Sequence, residues 1–377
     1  MLLPHSKADS RILSGLSKRK EAGAYRSLKV ENQLVDFCSN DYLGFAASAR
    51  LRRLIAGSSE GESFSSGSTG SRLLRGHSLL FDQLEDRLAS FHTAEAGLIF
   101  NSGYDANLGL ISAVATREDT IIYDSLIHAS LRDGIRLSGA KAYNFRHNEA
   151  SHLEDRLKVC SGKGIVFVVV ESIYSMDGDE APMEAYARLC EQYGAHLIVD
   201  EAHATGVRGL RGEGLVHELG LTGKVYARVH TFGKALGCHG AIVLGSAILR
   251  EGLINYSRPF IYTTALPPSS LQAIDSAYTL LLEDPGVREK LLFRINEFRT
   301  LSGSVQGLQP GSSPIQCVLV PGNENVRRVG RQLEENGLDV RPILHPTVPK
   351  GKERLRICIH AFNTSEQILS LVSCLKN

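Results

Sequence analysis

Residues 165–171 read Ile-Val-Phe-Val-Val-Val-Glu, and this run decides the fold class. A near-continuous series of Val residues between helical patterns is typical of a strand that is buried on both faces of a sheet. Apolar runs of the same kind stand at 120–123, 196–199 and 227–231, again with helical patterns around them. Because strands alternate with helices, we predict an α/β fold with a mainly parallel sheet that helices cover on both faces.

The same reasoning extends along the whole chain and gives the domain organisation. Seven strands are predicted for the large sheet, at 97–101, 120–123, 141–145, 165–171, 196–199, 227–231 and 240–244. Helices are predicted at 10–20, 79–91, 104–115, 130–138, 150–159, 183–193, 269–282 and 288–301, and short later strands at 315–320, 339–343 and 355–360. We therefore predict an N-terminal arm at 1–50, a large domain at 51–266 and a small C-terminal α+β domain at 267–377. The arm has a hairpin-like turn at Asn32-Gln33, and a Gly/Ser-rich loop at 57–72 leads into the helix at 79–91.

The composition argues against several classes of protein. A net charge of +1 provides no global field to attract nucleic acid or an acidic membrane, so we expect neither partner. The seven cysteines are dispersed and form no C-x-x-C pair, which favours a reducing compartment over a disulfide framework or a zinc site. No run of about 18 apolar residues occurs, and the first residues do not resemble a secretory signal. We therefore predict a cytoplasmic protein without a bound metal.

Polar side chains stand where the predicted strands end. Ligands of parallel sheets bind beyond the carboxyl ends of the strands, so these positions are candidates for a site. The candidates are Gly103, Tyr104, His128, Ser175, Asp200, His203, Thr231 and Lys234. Each of them, taken singly, is more simply explained as part of a turn, a helix start or a structural histidine.

Lys234 differs from a surface lysine because it lies in a tight turn bounded by Gly233 and Gly237. Its apolar neighbours would exclude water from the ammonium group and lower its pKa, as imine chemistry requires. The other strand ends supply an acid for a pyridinium nitrogen, donors for a phenolic oxygen and a helix start for a phosphate. This set predicts an enzyme that uses pyridoxal 5′-phosphate (PLP) and holds it as a Schiff base on Lys234.

Three other interpretations of these motifs lack essential parts. Asp200-Glu201-Ala202-His203 carries the letters of a helicase box, but the phosphate loop G-x-x-x-x-G-K-[ST] is absent from the chain. A zinc site at Asp200 and His203 would lack a convincing third and fourth ligand. A nicotinamide oxidoreductase would need G-x-G-x-x-G after an early strand, and that motif is absent too.

Nine sequence motifs follow one another in a fixed order along the chain, and as a set they are specific to one protein family. They are SNDYLG (39–44), GSTGSR (67–72), NSGYDAN (101–107), HASL (128–131), SMDGD (175–179), VDEAHATG (199–206), HTFGKALG (230–237), YTTALPP (262–268) and HPTVPKGKERLRI (345–357). Together they resemble the α-oxoamine synthases, a family of fold-type I PLP enzymes, from about residue 26 to residue 361. The resemblance implies a fold-type I PLP-dependent transferase.

The resemblance also implies roles for individual residues. Lys234 carries the cofactor, Asp200 holds the pyridine nitrogen protonated, and His128 stacks on the ring. His203 and Ser175 bind the phenolic oxygen, while Gly103, Tyr104 and Thr231 hold the phosphate. Thr264 of a second subunit reaches the same phosphate, with Thr263 as the alternative, so a homodimer is implied. Arg356 binds the amino-acid carboxylate, Asn40 borders the substrate, and Arg26 is a weaker candidate for the far carboxylate of a dicarboxylic acyl chain.

Within this family, the GSTGSR loop and the PTVP segment at 346–349 favour the biotin-pathway branch. The implied reaction condenses L-alanine with a pimeloyl thioester, carried by CoA or a carrier protein, and yields 8-amino-7-oxononanoate and CO₂. Glycine or serine with another acyl-CoA, as in glycine C-acetyltransferase, is an alternative, and so is a non-catalytic partner subunit.

Two positions depart from the family pattern. Glu201 stands where many members have Asp, and we expect it to lie outside contact with the ring. Cys238-His239 follows the lysine turn where many members have small or apolar residues, so we expect this pair to affect the shape of the acyl pocket.

Overall fold

A computed structural model describes residues 6–28, 30, 33–58, 65–160 and 164–376. In chain order its helices are α1 (Lys7–Glu21), α2 (Ala49–Ser58), α3 (Leu79–Phe91), α4 (Gly103–Val114), α5 (Ala129–Ser138), α6 (Ala150–Cys160), α7 (Met183–Tyr193), α8 (Leu215–Glu218), α9 (Ala247–Tyr256), α10 (Arg258–Ile261), α11 (Pro268–Glu283), α12 (Gly286–Leu301), α13 (Asn323–Glu335) and α14 (Ser365–Lys376). The strands are β1 (Val35–Asp36), β2 (Ala96–Phe100), β3 (Thr120–Asp124), β4 (Lys141–Phe145), β5 (Val166–Glu171), β6 (His196–Asp200), β7 (Ala227–Thr231), β8 (Ala241–Gly245), β9 (Ile315–Leu319), β10 (Leu338–Asp339), β11 (Arg341–Ile343) and β12 (Arg354–Cys358).

The chain divides into two compact units. The larger unit contains Asn40–Phe293 and His360–Phe362, and the smaller one contains Met1–Ser39, Arg294–Ile359 and Asn363–Asn377. The predicted domain boundaries after residues 50 and 266 stay predictions.

The larger unit is built on a seven-stranded sheet with the order β2-β8-β7-β6-β5-β3-β4. Strands β3 to β7 run parallel to one another, while β8 is antiparallel to both β7 and β2. The prediction of a mainly parallel seven-stranded sheet is confirmed. All six residues of β5 are buried, as the Val-rich run indicates.

The register of the central strands determines where the site forms. Glu171 and Asp200, the last residues of β5 and β6, are direct partners across the ladder. Helix α4 follows β2, and the Ser102 side chain caps it by accepting a hydrogen bond from the Asp105 N–H. The carboxyl ends of the central strands therefore lie beside a capped helix start, which is the usual ligand position in such sheets.

The smaller unit contains two short sheets. Strands β11, β12 and β9 form an antiparallel sheet, and β1 pairs in parallel with β10. The single predicted strand at 339–343 is wrong, because the chain leaves one sheet after Asp339 and enters the other at Arg341. Pro342, which has no N–H to donate, lies in the edge strand β11.

The N-terminal predictions have mixed outcomes. Helix α1 exists with a Ser6–Asp9 capping box, and it is longer than predicted. Asn32 of the predicted turn and residues 59–64 of the Gly/Ser-rich loop lie outside the described residues. The end of that loop does lead into α3, through a π-helical turn at Arg72–Gly76. In the described part of the chain, no helix combines the length and the apolar character needed to cross a bilayer.

Candidate active site

A cavity of about 280 Å³ lies at the carboxyl ends of the central strands. Nine of the predicted residues line it: Asn40, Gly103, Tyr104, His128, Ser175, Asp200, His203, Thr231 and Lys234. Thr264 is exposed and is not among the lining residues. Arg26 and Arg356 belong to the smaller unit.

Lys234 is part of a chain of polar groups that runs through His203 to the buried Tyr42, whose hydroxyl donates to Asn40 Oδ1 at 3.1 Å. Its Nζ lies 2.9 Å from Nε2 of His203, and Nδ1 of the same imidazole lies 2.7 Å from the Tyr42 hydroxyl. Tyr42 is fully buried and Lys234 is half-buried. Because both ring nitrogens have partners, the orientation of His203 is fixed with one nitrogen toward the amine.

The turn that carries Lys234 is shaped by a glycine. Gly237 adopts a left-handed conformation with φ of +62°, and a Cβ there would lie 2.2 Å from the Ala46 amide nitrogen. Only glycine fits without a shift of the backbone at this point. The turn therefore returns closely enough to hold Lys234 at the edge of the cavity.

Asp200 presents an oriented carboxylate at the end of β6. Its side chain is buried, Oδ2 accepts a 2.7 Å hydrogen bond from Asn107 Nδ2, and Oδ1 accepts a 2.9 Å bond from the Ala202 N–H. Donors of this kind stabilise the charged form of a carboxylate. The arrangement suits an acid that must remain ionised beside a cation.

His128 stands at the start of α5 and exposes its ring to the cavity. Its Nδ1 lies 2.7 Å from the Ser130 hydroxyl and accepts a 3.3 Å hydrogen bond from the Ser130 N–H. Loss of water lowers the pKa of His128, the Asp200 charge opposes this, and the Lys234 charge adds to it. A neutral ring in this position can pack against a planar ligand.

The start of α4 offers backbone N–H groups to an anion. A Cβ at Gly103 would lie 2.5 Å from Cγ2 of Thr231, so glycine is required for the close approach of α4 to β7. Asn101 Nδ2 donates to the Thr263 hydroxyl at 3.0 Å and to the Thr264 carbonyl at 2.8 Å. These bonds attach the 263–264 segment to the same helix start.

Glu171 is a buried acid in the cavity wall that the sequence did not single out. Its Oε2 accepts a 3.2 Å hydrogen bond from the Ser175 N–H, and Oε1 has no partner among the described residues. Burial, followed by the Asp200 charge, raises the pKa of Glu171. Asn107 Oδ1 also lacks a partner in the described part of the chain.

The residues present fit PLP. The cavity combines an amine on Lys234, a buried and hydrogen-bonded carboxyl group on Asp200, a helix start for phosphate, and two polar atoms that lack partners among the described residues and that a ligand could engage. An apolar pocket or a metal-binding cluster would show a different set of groups.

The family follows from comparison with known proteins. The model of the family described as aminotransferase class I and II matches residues 32–375. The chain belongs to this family. A curated relative from Emericella nidulans named 8-amino-7-oxononanoate synthase is 41% identical over 96% of this chain and 93% of its own length.

Solved structures agree with this assignment. Serine palmitoyltransferase from S. paucimobilis with bound PLP has a TM-score of 0.89 and 26% identity, covering 99% of this chain and 98% of its own. An 8-amino-7-oxononanoate synthase from Francisella tularensis has a TM-score of 0.78 and 29% identity, covering 92% of this chain and 98% of its own. This member of the aminotransferase class I and II family is therefore a fold-type I, PLP-dependent acyltransferase of the α-oxoamine synthase type.

The departures from the family pattern have distinct structural settings. Glu201 is fully buried and accepts hydrogen bonds from the Leu215 and Val216 N–H groups, so it caps α8 and does not line the cavity. The Cys238 thiol donates toward two backbone carbonyls, and burial raises its pKa to about 12. His239, in contrast, is exposed and lines the cavity.

Sequence reasoning missed Tyr42, Asn107 and Glu171 as site residues. Tyr42 and Asn107 lie inside the SNDYLG and NSGYDAN motifs. Their place in these motifs could have identified them as site residues, although their residue types alone could not. Glu171 ends an apolar strand, which is a common place for a polar residue that merely leaves the sheet.

Proposed function

We propose that this acyltransferase condenses L-alanine with a pimeloyl thioester, releasing 8-amino-7-oxononanoate, CO₂ and the free thiol. The observation that carries the proposal is the 41% identity to the Emericella nidulans relative, whose name is that of this activity. The site supports it, because an amine, an acid and a phosphate-binding helix start surround one cavity.

Bound PLP supplies an aldehyde for amines and a ring that stabilises negative charge at the α-carbon of an amino acid. The chain's own groups perform the proton transfers. Lys234 Nζ would hold the cofactor and, once free, would take the proton from the alanine α-carbon. The same Nζ returns a proton to that carbon after CO₂ has left. His203, 2.9 Å from Nζ, orients the amine for both transfers.

Asp200 keeps a proton on the ring nitrogen of the cofactor. Its two hydrogen bonds, from Asn107 and from the Ala202 N–H, would stabilise a carboxylate anion beside a bound pyridinium. His128 packs on the ring, and Ser175 with His203 bind the phenolic oxygen. Gly103, Tyr104 and Thr231 bind the phosphate.

The remaining residues bind substrate or a second copy of the chain. Arg356 binds the alanine carboxylate through its guanidinium fork. Asn40, which lines the cavity, borders the substrate, and Arg26 serves the far carboxylate of the acyl chain. Thr264 of a second copy completes the phosphate site, so the working form is a homodimer in the cytoplasm, with CoA or a carrier protein as the acyl carrier.

A serine-dependent reaction is the second candidate. The structural similarity to serine palmitoyltransferase, with a TM-score of 0.89, favours it, because fold-type I enzymes of different amino-acid preference share their cofactor site. In that case L-serine and a long-chain acyl-CoA would replace L-alanine and the pimeloyl thioester.

A substrate matrix separates these possibilities. Purified protein with PLP is incubated with L-alanine, glycine or L-serine, each with pimeloyl-, acetyl- or palmitoyl-CoA, and both CO₂ and free thiol are measured. The proposal predicts that L-alanine with pimeloyl-CoA gives the highest kcat/KM, with equal amounts of CO₂ and thiol. Higher kcat/KM for serine with palmitoyl-CoA, or for glycine with acetyl-CoA, would reject it in favour of that pair.

A further inference from the structure

His147 lies between two carboxylates and is not among the residues that line the cavity. Its Nδ1 is 2.9 Å from Asp124 Oδ1, and its Nε2 is 2.7 Å from Asp179 Oδ2. Ionised carboxylates only accept hydrogen bonds, so both ring nitrogens must carry protons and the ring is an imidazolium. Burial opposes this charge, but the hydrogen bonds to Asp124 and Asp179 outweigh burial and raise the pKa of His147 to about 10.

The ion pair joins the ends of three neighbouring strands. Asp124 is the last residue of β3, His147 stands two residues after β4, and Asp179 lies in the loop after β5. The loop after β3 leads to His128, and the loop after β5 carries Ser175. His147 does not line the cavity, so it can act on the site only through these two loops.

Asn148 strengthens the same connection. It is one of two non-glycine residues with positive φ in the described part of the chain, at +54°, a conformation that asparagine tolerates. Its N–H donates to Asp124 Oδ2 at 2.9 Å, and its Nδ2 donates to Asp179 Oδ2 at 2.7 Å. A non-glycine residue held in this region indicates that the surrounding bonds define the geometry tightly.

Movement of Asp124 would be transmitted to the site. Its Oδ1 also accepts a 2.8 Å hydrogen bond from the Leu126 N–H, inside the loop that ends at His128. The backbone N–H of Ser175, in the other loop, donates to Glu171 in the cavity wall. The two loops are therefore joined by the imidazolium and reach the cavity with little freedom of their own.

We infer that His147 is a positioning residue that sets the geometry of His128 and Ser175 toward the cofactor. The inference rests on the proposed roles of those two residues in PLP binding. In metal sites, removal of a residue that orients a ligand typically changes affinity or activity by about 10- to 100-fold, and we expect an effect of similar size here.

His147→Gln is the main test, because glutamine keeps one donor but cannot bridge both carboxylates as a cation. His196→Gln is the matched control, since His196 opens β6 at the amino end of the sheet and is exposed. Measurements are the PLP dissociation constant, the circular-dichroism band of bound PLP, kcat and KM for the preferred amino acid, and the thermal unfolding temperature.

For His147→Gln we expect kcat to fall and the PLP dissociation constant to rise, each by about tenfold or more. The PLP band should change shape at a temperature where the protein is folded, and KM should change less than kcat. His196→Gln should match the unmodified protein. A variant that loses only thermal stability, with normal kcat and PLP band, would show a merely structural role and overturn the inference.

Asp179→Asn decides the matter if His147→Gln does not fold. It is isosteric and leaves the Asp124 bond in place, so the same spectroscopic and kinetic changes should appear at smaller size. Normal PLP binding and normal kcat in Asp179→Asn would then overturn the inference. PLP affinity and the PLP band need no acyl substrate, so failure of the proposed reaction is seen separately, as inactivity of the unmodified protein on L-alanine and pimeloyl-CoA.

Discussion

Two of the cavities formed by the described residues of the larger unit differ strongly in character. One, of about 810 Å³, runs along the edge strand β4 and helix α6, and the other, of about 280 Å³, lies at the carboxyl ends of the central strands. The edge cavity is lined by three basic side chains, Lys141, Arg146 and Arg156, and two acidic ones, Glu118 and Asp155. The central one is lined by buried acids, histidines and a half-buried lysine.

Size does not identify the site. At the edge, Arg146 is already paired with Glu149, and Arg156 donates to the Asn144 carbonyl at 3.1 Å. At the centre, Glu171 Oε1 and Asn107 Oδ1 lack partners among the described residues, whereas no such atom lines the edge cavity. Buried polar groups that converge and have unmet hydrogen-bonding capacity mark a ligand site, and satisfied surface charges do not.

The largest expected effect comes from replacing the lysine of the central cavity by alanine, with a lysine of the edge cavity replaced as the comparison. Lys234→Ala should lower turnover by about 10³-fold or more, because it removes the group that moves the α-proton. Lys141→Ala, in the larger edge cavity, should leave turnover within about twofold of the unmodified rate. Steady-state rates of both variants check this, and a larger loss in Lys141→Ala than in Lys234→Ala would reverse the comparison.

Much of the fold could be predicted because strands that are buried on both faces appear in the sequence as nearly continuous apolar runs. The β5 run was predicted at 165–171 and is found at Val166–Glu171, and β4 and β7 match their predictions residue for residue. Periodicity does not specify which strands are neighbours. The order of the sheet and the antiparallel direction of β8 therefore could not be predicted.

The site could be predicted in part. Strand ends directed attention to Asp200, His203 and Lys234, which do line one cavity, while their roles stay predictions. His147 could not be found from the sequence, because its importance depends on two carboxylates 23 and 32 residues away along the chain. Only tertiary structure brings such groups together.

A second effect concerns two buried histidines, one of which lies in the central strand β7. The rings of His92 and His230 are fully buried with centroids 4.0 Å apart, and His230 precedes Thr231 in β7. Burial lowers the pKa of His92 to about 3 and lowers that of His230 well below its usual value. Both rings are therefore neutral in the folded protein at neutral pH.

This burial predicts a loss of stability in acid. The unfolded chain takes up protons on these histidines below about pH 6.5 and the folded chain does not, so falling pH favours unfolding. Between pH 6.5 and 5 the free energy of unfolding should fall by about 2 kcal/mol per histidine. Urea unfolding should show a smaller drop in His92→Gln and an unchanged drop in His152→Gln, which alters the edge cavity. If the free energy of unfolding fell equally in the unmodified protein, His92→Gln and His152→Gln, the prediction would be contradicted.

The smallest expected effect comes from one methyl group at the phosphate end of the central cavity. In Gly103→Ala the new Cβ would lie 2.5 Å from Thr231 Cγ2, so either α4 or the Thr231 side chain must shift. A strain of about 1 kcal/mol corresponds to a PLP dissociation constant raised about fivefold. Gly252→Ala in α9 meets nothing within 4 Å and should bind PLP normally. Fluorescence titration compares the two, and equal affinity would argue against a phosphate site at α4.

The most direct test of the central cavity is to locate the cofactor covalently. The protein loaded with PLP is reduced with sodium borohydride, digested and mapped by mass spectrometry. We expect the phosphopyridoxyl group on Lys234 and on no other lysine, including Lys141 in the edge cavity. A group attached at Lys141 or another lysine, with Lys234 unmodified, would contradict the assignment of the active site.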